Sequence, residues 1–289
     1  MGPRIASLIG LLFGALAPMP VAYAMELLVP AYFYPAAGGS DWDRLAAAVK
    51  SGIAVTAIMN PASGPGGAAI ADYARAIGAL HAGGGRVLGY VPSGYIGRAV
   101  NPTSSCRPAN GHAYTPADIV ACAARYQSFY AIDGIFVDEM GPPKSGAPVA
   151  ELVAYYTQVY DGLKAVNRSW TIFGNPGTTA PESLLRQGRA GGADVLVTFE
   201  NRAVLYAATA PAAYARQYPQ HRFASILIET APHFDFGNTL QLAGKRNFGY
   251  LYVTDRARPN PYDRLPTDWD GQLAAMRHFN GAPNVPGRR

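Results

Sequence analysis

Eight short β-rich runs, each followed by a stretch at helical spacing, constrain this chain more than any other feature. The runs are Leu27–Tyr34, Ile53–Asn60, Arg86–Pro92, Gly134–Glu139, Thr171–Asn175, Asp194–Glu200, Phe223–Glu229 and Phe248–Thr254. Most are continuously apolar, the pattern of strands buried on both faces of a parallel sheet. The intervening spacing predicts helices over Trp42–Lys50, Ile70–Ala82, Pro116–Tyr130, Val149–Val166, Pro181–Gln187, Pro211–Tyr218, Thr239–Lys245 and Trp269–Phe279. Ser40-Asp41, Thr115 and Thr267-Asp268 supply oxygens where helix N-caps are expected, and Pro116 takes a first helical position. Eight such units in about 265 residues match a single-domain α/β fold of the (β/α)8 TIM-barrel type. An open doubly wound sheet is the rival, but the Gly-rich dinucleotide turn is absent after the first run.

The barrel is expected over residues 25–280. Before it, residues 1–24 read as a secretory signal peptide: Arg4 at the start, an apolar stretch from Ile5 to Ala17, and Ala22-Tyr23-Ala24 as a small-x-small cleavage site. The apolar stretch is short of the ~20 residues a membrane span needs. The Pro/Gly-rich end, 281–289, reads as a flexible tail. Without the leader, 23 Lys/Arg stand against 19 Asp/Glu, thinly spread and with no basic run. That distribution offers no nucleic-acid footprint. The expectation is a monomer, secreted or periplasmic, with no membrane span. Cys106 and Cys122 are the two cysteines. In an exported protein they are expected to form a disulfide.

In a (β/α)8 barrel the chemistry gathers at the C-terminal ends of the strands. Reading those ends gives Tyr32 and Tyr34, Asn60, Tyr90, Asp138 and Glu139, Asn175, Glu200, Glu229, and Tyr252 followed by Asp255. One rim thus collects carboxylates, amides and phenols while the strand middles stay apolar. Two carboxylates on separate strands facing one cleft suit glycoside hydrolysis, one attacking or shielding the anomeric carbon and the other protonating the leaving oxygen. Ends of strands four and six lie roughly 10 Å apart at Cα, from the ~4.8 Å strand spacing, within reach of a retaining pair. Alternation lets only one of Asp138 and Glu139 point fully into the mouth unless the strand bends. Tyr32, Tyr34, Tyr90, Tyr95 and Tyr252 offer ring faces and hydroxyls suited to sugars.

Other chemistries find less support. Asn60–Gly67 (NPASGPGG) has glycines but no following Lys-Ser/Thr, so it is not a phosphate-binding P-loop. The five His residues show neither H-x-H nor H-E-x-x-H spacing, and no metal or other cofactor is expected. There is no G-x-S-x-G, and Ser63 has no evident base.

The motifs VPAYFYP (29–35), IMNPASGPG (58–66), DY (72–73), VLGYVPSGYIGR (87–98), IDGIFVDEM (132–140), NPGT (175–178) and ADVLVTFEN (193–201) fall in order along the chain. In this set the chain resembles the spherulin-4-like glycoside hydrolases. The resemblance implies a (β/α)8 barrel that cleaves an α-1,4-linked galactosamine or N-acetylgalactosamine exopolysaccharide, such as a galactosaminogalactan of a biofilm matrix. It also implies that the family's catalytic Asp and Glu match Asp138 and Glu200, and that the adjacent acid matches Glu139. By analogy with related α-glycosidase barrels, Asp138 is assigned as nucleophile and Glu200 as acid/base; the residues alone allow the reverse. Asn101–Tyr114, carrying Cys106, departs from the family pattern. Glu139, Glu229, Asp235 and Asp255 are further acids that can meet the ammonium groups of a deacetylated chain. Two other readings remain: a non-catalytic polysaccharide-binding cell-surface protein, and a metal-dependent polysaccharide deacetylase.

Overall fold

A computed structural model describes residues 24–97, 100–142 and 146–281. The predicted signal peptide, apart from Ala24, and the predicted tail beyond Gly281 lie outside the described residues. Eight strands close a parallel barrel in sequence order: β1 (Glu26–Ala31), β2 (Val55–Met59), β3 (Arg86–Pro92), β4 (Gly134–Asp138), β5 (Thr171–Gly174), β6 (Val195–Arg202), β7 (Phe223–Ile228) and β8 (Tyr250–Val253), with β8 pairing back to β1. All eight coincide with the expected runs. β1 is shorter than its run, because the chain leaves the sheet before Tyr32. Among the described residues, no helix is long and apolar enough to cross a membrane.

Helices cover the barrel at Asp41–Lys50, Ala71–His81, Pro116–Phe129, Val149–Val166, Phe236–Lys245 and Trp269–Gly281. Thr115 and Asp118 cap the third of these reciprocally: the Thr115 hydroxyl accepts the Asp118 N–H, and the Asp118 carboxylate accepts the Thr115 N–H. The same helix presses Tyr126 against Gly89 of β3, where any Cβ would come within 2.7 Å of the ring. The Tyr126 hydroxyl then reaches the carbonyls of Met59 and Tyr90, fastening the helix to β2 and β3. Such contacts place the main apolar layer between helices and barrel.

The helices expected at Pro181–Gln187 and Pro211–Tyr218 are corrected by the structure. Only short 3-10 turns form there, at Glu182–Leu184 and Ala213–Gln217, with two more at Ala203–Leu205 and Gln220–Arg222. The glycines after Gln187 and Pro219 after Tyr218 leave no room for the several turns an isolated helix needs.

Inside the barrel, the N-terminal end is polar. Arg86 of β3 is paired with Glu26 of β1 at 2.9 Å and donates to the Tyr250 hydroxyl of β8 at 2.8 Å. Thr56 of β2 also donates to Glu26. Above this layer the interior is apolar up to the C-terminal rim.

Candidate active site

Asp138 is the last residue of β4. Alternation sets it on the face of Phe136, which stacks on Tyr90 with ring centroids 6.4 Å apart. Glu139 does not continue that strand. Its φ of +59° turns the chain out of the sheet, a conformation that costs a non-glycine residue roughly 1–3 kcal/mol. The turn is held from the loop after β3: Tyr95 N–H and the Ser93 hydroxyl donate to the Glu139 carbonyl, and Gly94 N–H donates to its Oε2 at 2.9 Å. The bend therefore lets both acids serve one region, Asp138 from the strand and Glu139 from its flank.

Glu200 reaches the mouth by a different device. Phe136, Phe173 and Val195 are neighbours across β4, β5 and β6 and share the inner face. Plain alternation along β6 then places Val197 and Phe199 inside and Glu200 outside. The pairing with β7 breaks this count: Val197 pairs with Ala224, but Phe199 pairs with Ser225 and Glu200 with Ile226, leaving Thr198 as an extra residue. One inserted residue reverses the sense of every side chain that follows. Phe199 consequently packs outward on Tyr206, ring centroids 4.9 Å apart, and Tyr206 hydrogen-bonds Ser225 at 3.0 Å on that outer side. Glu200 turns inward.

The two strands' acids meet on Asn175, the residue after β5. Its amide nitrogen donates to Asp138 Oδ1 at 2.8 Å and to Glu200 Oε2 at 2.5 Å. Two acceptors on one nitrogen at those distances lie no more than about 5.3 Å apart. Asn175 is 5% exposed. It uses both amide hydrogens on the carboxylates, so it holds the pair from behind. The second oxygen of Glu200 accepts from the hydroxyl of Tyr262. Tyr90 stands beside Asp138, whose charge adds to burial in raising the Tyr90 phenol. Tyr32 closes the wall, edge-on to Tyr90 at 5.6 Å and to Tyr262 at 5.3 Å.

Burial first, then the charges of Glu200 and Glu139, push Asp138 up to about 7. With Glu200 joined to it through one amide, that behaviour belongs to the pair, which holds a proton near neutral pH. Burial also raises Glu139, against the opposing pull of the Gly94 N–H. Tyr32, Tyr90 and Tyr262 are raised by burial and then by the neighbouring carboxylates, so all three stay protonated donors. The arrangement offers one proton to give, one carboxylate to attack with, and aromatic walls.

The other predicted site residues lie further out or play supporting parts. Asn60 accepts the Gly64 N–H at 3.0 Å and shapes the loop after β2. Tyr34 is 53% exposed, and its hydroxyl donates to Asp72 at 2.7 Å on the helix Ala71–His81. Tyr252 is fully buried behind Tyr262, ring centroids 6.3 Å apart, and has no open ring face. Glu229, with φ +55°, turns away after β7, and its N–H donates to the Arg256 carbonyl. Tyr95 packs against Gly141. Asp235 caps the helix Phe236–Lys245, and Asp255 accepts both Thr267 donors. Tyr262 was missed by the strand-end reading because it belongs to the Pro-rich loop after β8.

Cys106 and Cys122 are joined in a disulfide, with Cα atoms 5.3 Å apart. It ties the loop after β3 to the helix Pro116–Phe129. The Asn60–Gly67 loop packs on the same bridge: Gly64, at φ +141°, leaves no space for a Cβ beside Cys106 Sγ, and Ser105 N–H donates to the Ala62 carbonyl. Arg125 donates to the carbonyls of Gly66 and Ser105, pinning both loops. The glycines thus fit a loop-to-loop contact.

Comparison with known proteins follows the same outline. The family model described as spherulation-specific family 4 (Spherulin4) matches residues 26–276, from β1 into the last helix. Spherulin-4 of Physarum polycephalum is 31% identical over 241 residues, covering 81% of this chain but 64% of that protein, so the chain spans less than two thirds of its relative's length. Among solved structures, Aspergillus clavatus Sph3 in complex with GalNAc aligns with a TM-score of 0.66 at 21% identity, covering 88% of this chain and 98% of the other. A cyclic α-maltosyl-(1→6)-maltose hydrolase from Arthrobacter globiformis aligns at 0.58 with 13% identity, covering 90% and 82%. At these identities the structural likenesses show a shared fold. The family model's span over the whole barrel and the identity to Spherulin-4 establish the larger point: this chain belongs to the Spherulin4 family.

Proposed function

We propose that the chain is an exported glycoside hydrolase that cleaves α-1,4-linked galactosamine or N-acetylgalactosamine polysaccharide internally and with retention. Asp138 is the nucleophile and Glu200 the acid/base. The single observation that carries this reading is the Asn175 amide bridging both carboxylates. It keeps them within about 5.3 Å, on the side of the ~5–5.5 Å of retaining pairs rather than the ~6.5–9.5 Å of inverting ones. The proton held by the coupled pair reaches the leaving oxygen from Glu200 while Asp138 forms the glycosyl-enzyme. Glu200, then ionised, takes a proton from the water that releases the sugar. The phenols of Tyr32, Tyr90 and Tyr262, gathered around the two acids, supply ring faces and hydroxyls for the sugar.

The sugar class is supported by the family and by GalNAc in the Sph3 structure. Export rests on the leader reading of residues 1–24, and the Cys106–Cys122 bridge suits an oxidising compartment, secreted or periplasmic. The test is incubation of the mature protein with α-1,4 galactosamine polymers of known acetylation, fragments being identified by mass. Retained anomeric configuration and loss of cleavage in Asp138→Asn and Glu200→Gln are expected. Binding without any fragment release overturns catalysis in favour of a binding protein.

A further inference from the structure

Ser93 follows β3 and Tyr156 stands on the helix Val149–Val166; both side chains are fully buried. Their hydrogen bonds go to each other and to the backbone where the chain turns out of β4. The Ser93 hydroxyl shares its one proton between the carbonyls of Asp138 at 2.6 Å and Glu139 at 3.0 Å. With that proton committed, the 2.9 Å contact between the two hydroxyls is donated by Tyr156. The Tyr156 oxygen in turn accepts the Gly141 N–H at 3.3 Å. The donors therefore run in one sense, from Gly141 through Tyr156 and Ser93 to the carbonyls of the two acids, and each link of such a chain strengthens the next.

Packing fixes this arrangement. Gly192 leaves no space for a Cβ beside Tyr156, and Gly174 leaves none beside Met140, the residue after Glu139. What the chain holds is strained. Glu139, Tyr95 and Ile96 all take left-handed backbone, at φ +59°, +51° and +53°; for β-branched Ile96 that is an outlier. Strain of this kind persists only where surrounding contacts over-determine it. Residues 93–95 supply those contacts: Ser93 N–H donates to the Asp138 carbonyl, Gly94 N–H to Glu139 Oε2, and Tyr95 N–H to the Glu139 carbonyl. Ser93 leads this run, and Tyr156 anchors Ser93.

We propose that Ser93 and Tyr156 are positioning residues: acting through the backbone, they hold the Glu139 carboxylate on the flank of Asp138. The proposal rests on the hydrolase reading above, in which Asp138 and Glu200 do the chemistry. The titratable groups that face Asp138 are Glu139, Glu200 from β6, Tyr90 from β3, and the phenols Tyr32 and Tyr262. The charge of Glu139 is one of the causes that raise Asp138. Releasing the turn moves that charge away, so Asp138 gives up its proton at lower pH although every acid is still present.

The experiment follows the Asp138 carboxyl by carbon-13 NMR between pH 4 and 9 in the mature protein, its signal assigned by loss in Asp138→Asn. Ser93→Ala and Tyr156→Phe are each expected to lower its midpoint by about half a pH unit. Combined with Glu139→Gln, neither adds a further shift, because the charge it positions is gone. Thermal unfolding checks folding, and the two variants break the chain at different links so that either can decide. An unmoved midpoint in a folded variant means packing alone and overturns the proposal. An equal shift with and without Glu139→Gln means a route other than Glu139 and overturns it too. Fragment release from α-1,4 galactosamine polymers is measured alongside. If the wild type releases none, the hydrolase reading has failed, and the titration still decides the positioning. Release together with an unmoved midpoint keeps the hydrolase and sinks the positioning.

Discussion

Tyr262 and Glu200, 62 positions apart, are joined by a hydrogen bond from the phenol to carboxylate Oε1. The loop after β8 thereby reaches across the mouth to the acid of β6. A hydrogen bond accepted by a carboxylate favours its charged form. Removing it lets the Asp138–Glu200 pair keep its protons to higher pH. In Tyr262→Phe, both limbs of the pH–rate profile should move upward by up to about one unit. The maximal kcat should fall about 10- to 100-fold. Initial rates from pH 4 to 9 check this; an unshifted profile with lower activity throughout means that Tyr262 only packs.

Glu139→Gln is expected to shift the profile the other way. The Glu139 charge is one of the causes that raise Asp138. A glutamine keeps an oxygen for the Gly94 N–H but removes the charge. The pair should then release its protons at lower pH, and both limbs move down. Opposite shifts in Glu139→Gln and Tyr262→Phe are a sharper test than either loss of activity.

Stability should carry the mark of the same pair. Asp138 has a folded-state pKa raised from 3.8 to about 7. The native protein therefore holds this proton where the unfolded chain has lost it. Linkage then makes stability fall as pH rises from about 4 to about 7 and level off above. Three pKa units set an upper bound of about 4 kcal/mol for the effect. Asp138→Asn should abolish that component, and so be more stable than the wild type at pH 8 while inactive. Denaturant unfolding at pH 5 and pH 8 measures it; an equal pH dependence in both proteins contradicts the burial of this charge.

Replacing both Cys106 and Cys122 by serine should cost roughly 3 kcal/mol, as expected for a bridge closing a loop of this size. The loss should appear as a lower Tm that added reductant no longer changes, whereas reductant should lower the Tm of the wild type. The loops after β2 and β3 share this bridge, so proteolytic nicking within Asn101–Tyr114 should also become faster. An unchanged Tm in the double variant places the stability of these loops in their hydrogen bonds.

The barrel was legible in the sequence because strands buried on both faces must be continuously apolar, and all eight runs became strands. The segments after β5 and β6 misled because a single turn such as Ala213–Gln217 has the composition of a helix without its length. Asp138 was readable from strand alternation and position. Glu200 was named from its place at the end of the sixth run, but a two-residue period alone points it outward, and an inserted residue leaves no mark in composition. Tyr252 ended its strand as a sugar platform should, yet a neighbour from a distant loop covers it. That neighbour, Tyr262, could not be found by reading strand ends, since the loop's path is set by tertiary packing.

The irregularity at Thr198 has a practical consequence for matching this chain to others. Strand six reads naturally against an unbroken strand of another barrel, one residue to one residue. Matched so, Glu200 falls opposite a position that faces the helices, and Phe199 falls opposite the acid. Transfer of inward-facing positions along this strand therefore requires a one-position offset after Val197, and a relative lacking the extra residue would need its acid at a neighbouring place to face the same way.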